Sequence, residues 1–112
     1  MRVTSSLWAA AYVRRCHLAG AYAVVRRRGA AEAGAIFVVL DRLDGTRTLF
    51  GPAPQSAFEG EVDDRRFTAL ALREDDPGAI EARLARETDF DPDLWVLDVE
   101  DRAGRHFLDV VS

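Results

Sequence analysis

Residues 35–50 read AIFVVLDRLDGTRTLF, and the rest of the chain is organised around them. Residues 35–40 are six consecutive apolar residues, too few for an ordinary helix and rich in β-branched and aromatic types, which is typical of a strand buried on both faces. Asp44-Gly45 supplies the positive-φ positions of a tight reversal, so we expect residues 47–50 to fold back as a hairpin partner. A buried hairpin of this kind predicts a sheet core.

The first helix is predicted before this hairpin. Residues 4–19 begin with a run of capping residues, continue with good helix formers and end at Gly20. At 100° per residue, Leu7, Ala11 and Leu18 cluster on one side of this helix, and Trp8, Tyr12 and Ala19 adjoin them to give a wide apolar face. We therefore expect this wide face to pack against the sheet.

The second helix is predicted after the hairpin. Asp76-Pro77 is typical of a helix start, with an acidic cap and a proline at the first helical position. Ile80 and Leu84 supply the buried stripe, and the helix is expected to end around Thr88.

The remaining apolar runs predict further strands at residues 22–25, 67–72, 94–100 and 106–111. The order α-β-β-β-β-α-β-β predicts a single α+β domain over residues 1–112, with about six strands and two packed helices. We expect a mostly antiparallel sheet. A mixed sheet is the alternative, because a right-handed crossover between residues 72 and 94 could make strands 67–72 and 94–100 parallel neighbours.

Composition excludes several classes of function. The 112 residues carry a net charge of −4, which argues against general binding to nucleic acid or to an anionic membrane. All fifteen basic residues are arginine, so lysine-dependent chemistry is excluded. Cys16 is the only cysteine, which rules out an intramolecular disulfide and favours the cytoplasm. The longest apolar runs are too short to span a bilayer.

The usual catalytic signatures, phosphate loops, dinucleotide fingerprints and metal-binding motifs are absent, and we predict no cofactor and no metal. Cys16 lies beside His17 in the predicted helix. Neighbouring helical residues point about 100° apart, so the two side chains cannot form a dyad, and we expect Cys16 to be a buried structural residue.

Asp98, Glu100 and His106 form a first candidate site. Asp98 and Glu100 share one face of a predicted strand, a spacing that suits acid/base chemistry or a metal. A three-residue turn would place His106 opposite Glu100, whereas a two-residue turn would place it opposite Asp101 on the other face. Apolar matching of the two strands favours the second register, which separates the site.

A set of arginines forms a second candidate site, for a phosphate, a carboxylate or an acidic partner. Arg14, Arg15, Arg26 and Arg28 are the predicted ligand-binding residues, brought together by the short turn at Gly20. Strand alternation would send Arg26 and Arg28 to the same face. The alternative is that these charges protect an edge strand against aggregation.

Residues 51–66 form a third feature, a loop longer than compact domains normally carry. This loop contains Gln55 and an acidic patch made of Glu59, Glu61, Asp63 and Asp64. Long loops of this kind are either functional or disordered, so we expect a role in binding.

Five blocks of sequence, taken in order, resemble a family of short alphaproteobacterial proteins known only as a domain of unknown function. The blocks are residues 8–16 (WAAAYVRRC), 42–45 (RLDG), 51–55 (GPAPQ), 90–95 (FDPDLW) and 100–108 (EDRAGRHFL). The resemblance covers nearly the whole chain. It implies a stand-alone bacterial cytoplasmic protein without an assigned activity, cofactor or catalytic residue, so no site residue is carried over.

These observations favour a non-catalytic binding or regulatory module for a protein or an anionic partner, which could be a homodimer. The alternative is an enzyme acting on a small phosphorylated or carboxylated substrate, with Arg15 as anion holder and Asp98, Glu100 or His106 as acid/base. A second alternative, binding of nucleic acid, is disfavoured by the acidic net charge.

Overall fold

The computed structural model describes residues 3–54 and 65–111, which form two helices and one five-stranded sheet. The elements are α1 (Ser5–Leu18), β1 (Tyr22–Arg27), β2 (Ile36–Asp41), β3 (Arg47–Pro52), β4 (Phe67–Ala69), α2 (Pro77–Phe90) and β5 (Trp95–Glu100). The strand order is β1-β5-β2-β3-β4. The predicted α+β class is confirmed, with five strands in the described residues instead of about six.

The hairpin of β2 and β3 is confirmed. The two strands are antiparallel, with Val38 opposite Phe50, and β2 is buried on both faces up to Asp41. In the connecting turn, Leu43 and Gly45 adopt positive φ angles of 60° and 92°. Gly45 thus has the predicted positive φ, while Leu43 and not Asp44 supplies the second.

Strand β5 lies inside the sheet between β1 and β2, antiparallel to β1 and parallel to β2. The prediction that strand 94–100 could be a parallel neighbour of strand 67–72 is therefore wrong. β5 is buried on both faces over residues 95–97, which suits an interior strand. β4 is only three residues long and lies at the opposite edge, against β3.

The predicted strand at residues 106–111 does not pair with β5. Because β1 and β2 already flank β5, no free edge of that strand is left for a hairpin partner. The segment instead makes one parallel bridge, between Val110 and Phe67 at the start of β4. The Phe67 N–H donates to the Asp109 carbonyl, and the Val111 N–H donates to the Phe67 carbonyl.

Helices cover the two faces of the sheet. On the face that we call the first, α1 packs over a cluster that includes Val38, Leu97 and Trp95. On the second face, Ile80 and Leu84 of α2 pack over Val39. The predicted stripe of α2 and its start at Asp76-Pro77 are confirmed, with the Asp76 side chain accepting from the Ala79 N–H, but the helix continues to Phe90.

The predicted apolar face of α1 is confirmed for Tyr12 and is wrong for its central residues Leu7 and Leu18. Tyr12 and Cys16 are fully buried against the sheet, together with Ser5 and Ala9, whereas Leu7 is 59% exposed and Leu18 is 76% exposed. The helix has apolar residues on two opposite sides, and aromatic packing selects between them. The Trp8 ring stacks on Tyr12 at 5.1 Å and lies 5.3 Å from Phe67.

Neither helix in the described part of the chain is long and apolar enough to cross a membrane.

Candidate functional site

The sheet separates the members of the first candidate site. Asp98 and Glu100 point to the second face, in alternation with the buried Leu97 and Val99. His106 lies on the first face, where its ring packs 5.2 Å from that of Phe50. The Nδ1 atom of His106 accepts from the Leu108 N–H at 3.0 Å. The structure therefore does not bring His106 to the two carboxylates.

Asp98 is engaged by Arg26. The guanidinium donates from Nε and Nη2 to the two Asp98 oxygens, at 2.9 and 2.8 Å. Its Nη1 atom donates to Glu81 of α2 at 2.8 Å. The hydrogen bonds to Asp98 are the main cause of a raised Arg26 pKa. Arg26 thus ties β1 to β5 and to α2.

A shallow groove of about 260 Å³ lies on the part of the second face that α2 leaves open. It is lined by Tyr22, Val24, Arg26, Val39, Asp41, Arg47, Asp98 and Glu100. Arg47 pairs with Asp41 at 3.3 Å, in addition to the pair between Arg26 and Asp98. Glu100 lies opposite Asp41 across the parallel strands. Within the described residues, no group of three or more histidine, cysteine or acidic residues could hold a metal.

A larger cavity of about 530 Å³ lies at the start of α1. Its apolar wall includes Ile36, Pro52 and Phe67, and its charged lining residues are Glu32, Arg65 and Arg66. Arg65 donates to the Val3 carbonyl and to the buried Ser5 hydroxyl. The predicted functional loop, 51–66, adjoins this cavity at both of its ends, and its central residues 55–64 lie outside the described residues. Its role in binding stays a prediction.

The arginine set is dispersed by a β-bulge. The register of β1 shifts between Val25 and Arg27, which breaks the alternation that predicted Arg26 and Arg28 on one face. Arg26 points to the second face, whereas the Arg28 guanidinium lies 5.2 Å from the ring of Trp95 on the first face. The prediction that Arg26 and Arg28 share a face is therefore wrong. The predicted edge position of the arginine-rich strand is confirmed.

Arg14 and Arg15 lie on the exposed side of α1. Arg15 donates from Nη2 to the Phe107 carbonyl at 3.0 Å, and its guanidinium lies 5.5 Å from the Tyr12 ring. Arg14, Arg15 and Arg28 make no ion pair with any carboxylate in the described ranges 3–54 and 65–111. These three charges differ in that respect from Arg26, which two carboxylates neutralise.

Cys16 and His17 do not interact, as predicted. Cys16 is buried, and burial raises the pKa of its thiol. The Nε2 atom of His17 lies 2.8 Å from the Ala23 carbonyl and 3.1 Å from the Ala23 nitrogen, so the imidazole is bound to the backbone of β1.

Four exposed residues form one row along α1, and the three apolar ones belong to the face that the sequence predicts to be buried. We call it the outer stripe of α1, and it consists of Leu7, Ala11, Arg14 and Leu18. At 100° per residue these positions lie within about 60° of one another, on the side of the helix opposite the buried face. The signal in the sequence is a helix with apolar residues on both sides, of which a sheet can cover only one.

The fold and these sites define a small α+β domain with two helices on a mixed sheet and no recognised catalytic constellation among its described residues. The chain belongs to the family described as "Protein of unknown function (DUF1491)", which matches residues 3–109. The predicted resemblance to an alphaproteobacterial family of unknown function is thus confirmed.

Solved structures of this family are similar to the chain over its whole length. A crystal structure of a DUF1491 family protein from Caulobacter crescentus is 38% identical, with a TM-score of 0.82 and complete coverage of both chains. The solution structure of protein Atu0922 from A. tumefaciens is 40% identical, with a TM-score of 0.84, and covers 100% of this chain and 97% of that one. No curated protein matches the chain.

Proposed function

We propose that this protein is a non-catalytic binding module that docks another protein on the outer stripe of α1. The observation that carries this proposal is the exposure of Leu7 and Leu18 on the same side of one helix. Burial of a leucine side chain stabilises a complex by about 1.5–3 kcal/mol relative to leaving it in water. The stripe therefore offers binding energy that the fold itself does not use.

Single exposed leucines are ordinary on protein surfaces. The outer stripe differs because its apolar members recur at helical spacing, with the small Ala11 between the two leucines. Helices that dock in a partner's groove present such rows of residues.

The enzyme hypothesis receives less support. Its acid/base candidates are Asp98, Glu100 or His106, and the sheet separates His106 from the two carboxylates. Both oxygens of Asp98 also accept hydrogen bonds from Arg26. We further propose a cytoplasmic location, which is supported by the single cysteine of the chain.

Site-specific photo-crosslinking in an alphaproteobacterium tests the docking surface. We would place p-benzoylphenylalanine at Leu7 or at Leu18, and at the exposed Ala85 of α2 as the control. We expect an adduct of discrete mass from both leucine positions and none from Ala85. The adduct's partner, once identified and purified, should lose at least about tenfold in affinity for the Leu18→Ser protein, which corresponds to about 1.4 kcal/mol.

Two results would contradict this proposal. One is the absence of any adduct at Leu7 and Leu18 in a correctly folded protein. The other is a purified partner whose affinity is the same for wild type and for Leu18→Ser. An adduct of twice the chain's mass would identify the occupant as a second copy.

A further inference from the structure

We propose that the segment docked on the outer stripe is an acidic amphipathic helix of the partner protein. This inference rests on the proposed function, because it names the chemistry of the partner for that same surface. The argument combines the shape of the stripe with its charge.

The stripe has a large side chain at each end and a small one in the middle. Leu7 and Leu18 are eleven residues apart in the sequence, which is about 16 Å along a helix axis. Ala11 lies between them, and the exposed Ala10 lies beside it. Small side chains allow another helix to approach closely, since interaxial distances depend on the residues at the contact. The spacing of residues 7, 11, 14 and 18 alternates four and three, as in a coiled-coil seam.

The charge of the stripe selects an acidic partner. Arg14 is the only polar member of the stripe, and Arg15 follows it. α1 contains no acidic residue, and neither arginine has an ion-pair partner in the described part of the chain. A wholly apolar partner would bury the Arg14 guanidinium without compensation, which is costly. A carboxylate on the partner would instead receive forked hydrogen bonds.

A second copy of the chain fits this surface less well. In an antiparallel pair of α1 helices, Leu7 would face Leu18 and Ala11 would face Arg14 of the other copy. The apolar residues match in this arrangement. However, the arginines at positions 14 and 15 of both copies would approach one another without any acidic residue on either helix. Like charges in an interface are unfavourable, so the partner must supply the opposite sign.

The test uses two synthetic helical peptides of about 20 residues, and fluorescence anisotropy measures their binding to the 112-residue chain. Both peptides carry leucine at the seam positions. One has glutamate at the flanking positions, and its twin has lysine there. We expect the glutamate peptide to bind wild type at least about tenfold more tightly than the lysine twin. Raising the salt concentration should weaken the binding of the glutamate peptide.

Matched variants assign the effect to the stripe. Arg14→Glu should reverse the preference between the two peptides, and Leu18→Ser should weaken both. Arg86→Glu, a charge reversal at an exposed position of α2, should change neither affinity. All three substituted side chains are exposed, so the variants are expected to retain the wild-type melting temperature.

Four results would overturn the inference. These are equal affinity for the two peptides, equal effects of Arg14→Glu and Arg86→Glu, binding of phosphatidylglycerol vesicles in place of the peptide, and a wild-type dimer that Leu18→Ser dissociates. Adducts at Leu7 and Leu18 without any charge preference would leave the proposed function standing while the acidic helix fails. If the adducts at Leu7 and Leu18 are also absent, the proposed function and the acidic helix are both contradicted.

Discussion

At the scale of single residues, Asp101 ends β5 in a compact set of hydrogen bonds. Its buried carboxylate accepts from the Arg105 N–H at 2.8 Å and from Nε and Nη2 of the same arginine at 2.9 Å. The Arg105 side chain is the main cause that lowers the pKa of Asp101 to about 2. The carboxylate therefore fixes the turn that leads the chain away from the sheet.

This shift predicts how stability depends on pH. Because the pKa of Asp101 is about 2 in the folded protein and about 3.9 in an unfolded chain, its contribution is fully present above about pH 4 and is lost as the pH falls towards 2. We expect Asp101→Asn to lower the melting temperature at pH 7 and the difference from wild type to shrink through that window. Asp89→Asn, on the exposed side of α2, is the control. A difference that stays constant down to pH 2 would contradict the assignment.

Gly29 is a position where two stretches of backbone approach closely. A Cβ atom at Gly29 would lie 2.6 Å from the Leu94 carbonyl carbon and would also collide with the Asp93 carbonyl oxygen. Gly29→Ala should therefore destabilise the protein by at least about 2 kcal/mol. A Cβ atom at Gly20 would have no atom within 4 Å, and the φ angle of 90° is the only source of strain there. Gly20→Ala should therefore lower the free energy of unfolding by about 1 kcal/mol. Urea unfolding of both variants measures the difference, and equal costs would show that the close approach is absent.

Arg26 and Arg28 show what residue patterns cannot predict. Their identities and their edge position can be read from the sequence, because charged residues are common on edge strands. The side of the sheet to which each arginine points cannot be read from the sequence, since one bulged residue in β1 reverses the alternation of all later residues in the strand. The bulge depends on pairing with β5, which lies about seventy residues further along the chain.

At the scale of elements, α1 carries two apolar faces that contribute differently. The inner face includes Tyr12, whose hydroxyl donates to the His106 carbonyl at 2.6 Å. Burial raises the pKa of Tyr12, so the phenol stays neutral and continues to donate at ordinary pH. Within the described residues, no hydrogen bond joins a side chain of the outer stripe to the rest of the fold.

Substitutions on the two faces should therefore differ in cost. Tyr12→Phe leaves a part-buried carbonyl without its donor and should lower the free energy of unfolding by about 1–2 kcal/mol. Leu18→Ala should change it by less than about 0.5 kcal/mol, because this side chain is exposed. Thermal or urea unfolding measures both values. A larger loss for Leu18→Ala than for Tyr12→Phe would mean that the outer stripe stabilises the isolated protein and is not spare surface for a partner.

The two helices differ in how well periodicity predicts them. α2 has one apolar stripe, on Ile80 and Leu84, and a strong start signal at Asp76-Pro77, so its buried face follows directly from the sequence. α1 offers Leu7 and Leu18 on one side and Tyr12 and Cys16 on the other. The buried side is selected by tertiary contacts, of Trp8 with Phe67 and of Tyr12 with His106. The outer stripe is visible in the sequence, but its exposure is not.

At the scale of the whole molecule, the last strand completes the sheet. β5 lies between β1 and β2, which are otherwise not paired with each other. The hairpin of β2 and β3 is local and could be predicted from sixteen residues. The position of β5 could not be predicted in this way, because residues 67–72 and 94–100 are similar apolar runs. Which of the two lies between β1 and β2 depends on which can be buried on both faces. The same insertion leaves residues 106–111 without an edge of β5 to join.

The insertion of β5 predicts that the protein cannot fold without it. A chain ending at Asp93 would leave β1 without a partner strand and would remove Trp95, Leu97 and Val99 from the first-face cluster. We expect this chain to give a poorly dispersed amide NMR spectrum. A chain ending at Arg105 keeps all five strands but loses the contacts of residues 106–111 with Tyr12, Arg15, Phe50 and Phe67. It should fold cooperatively with a lower melting temperature. A native-like spectrum from the chain ending at Asp93 would instead mean that β1 and β2 can close the sheet directly, and that β5 is added to a core already formed.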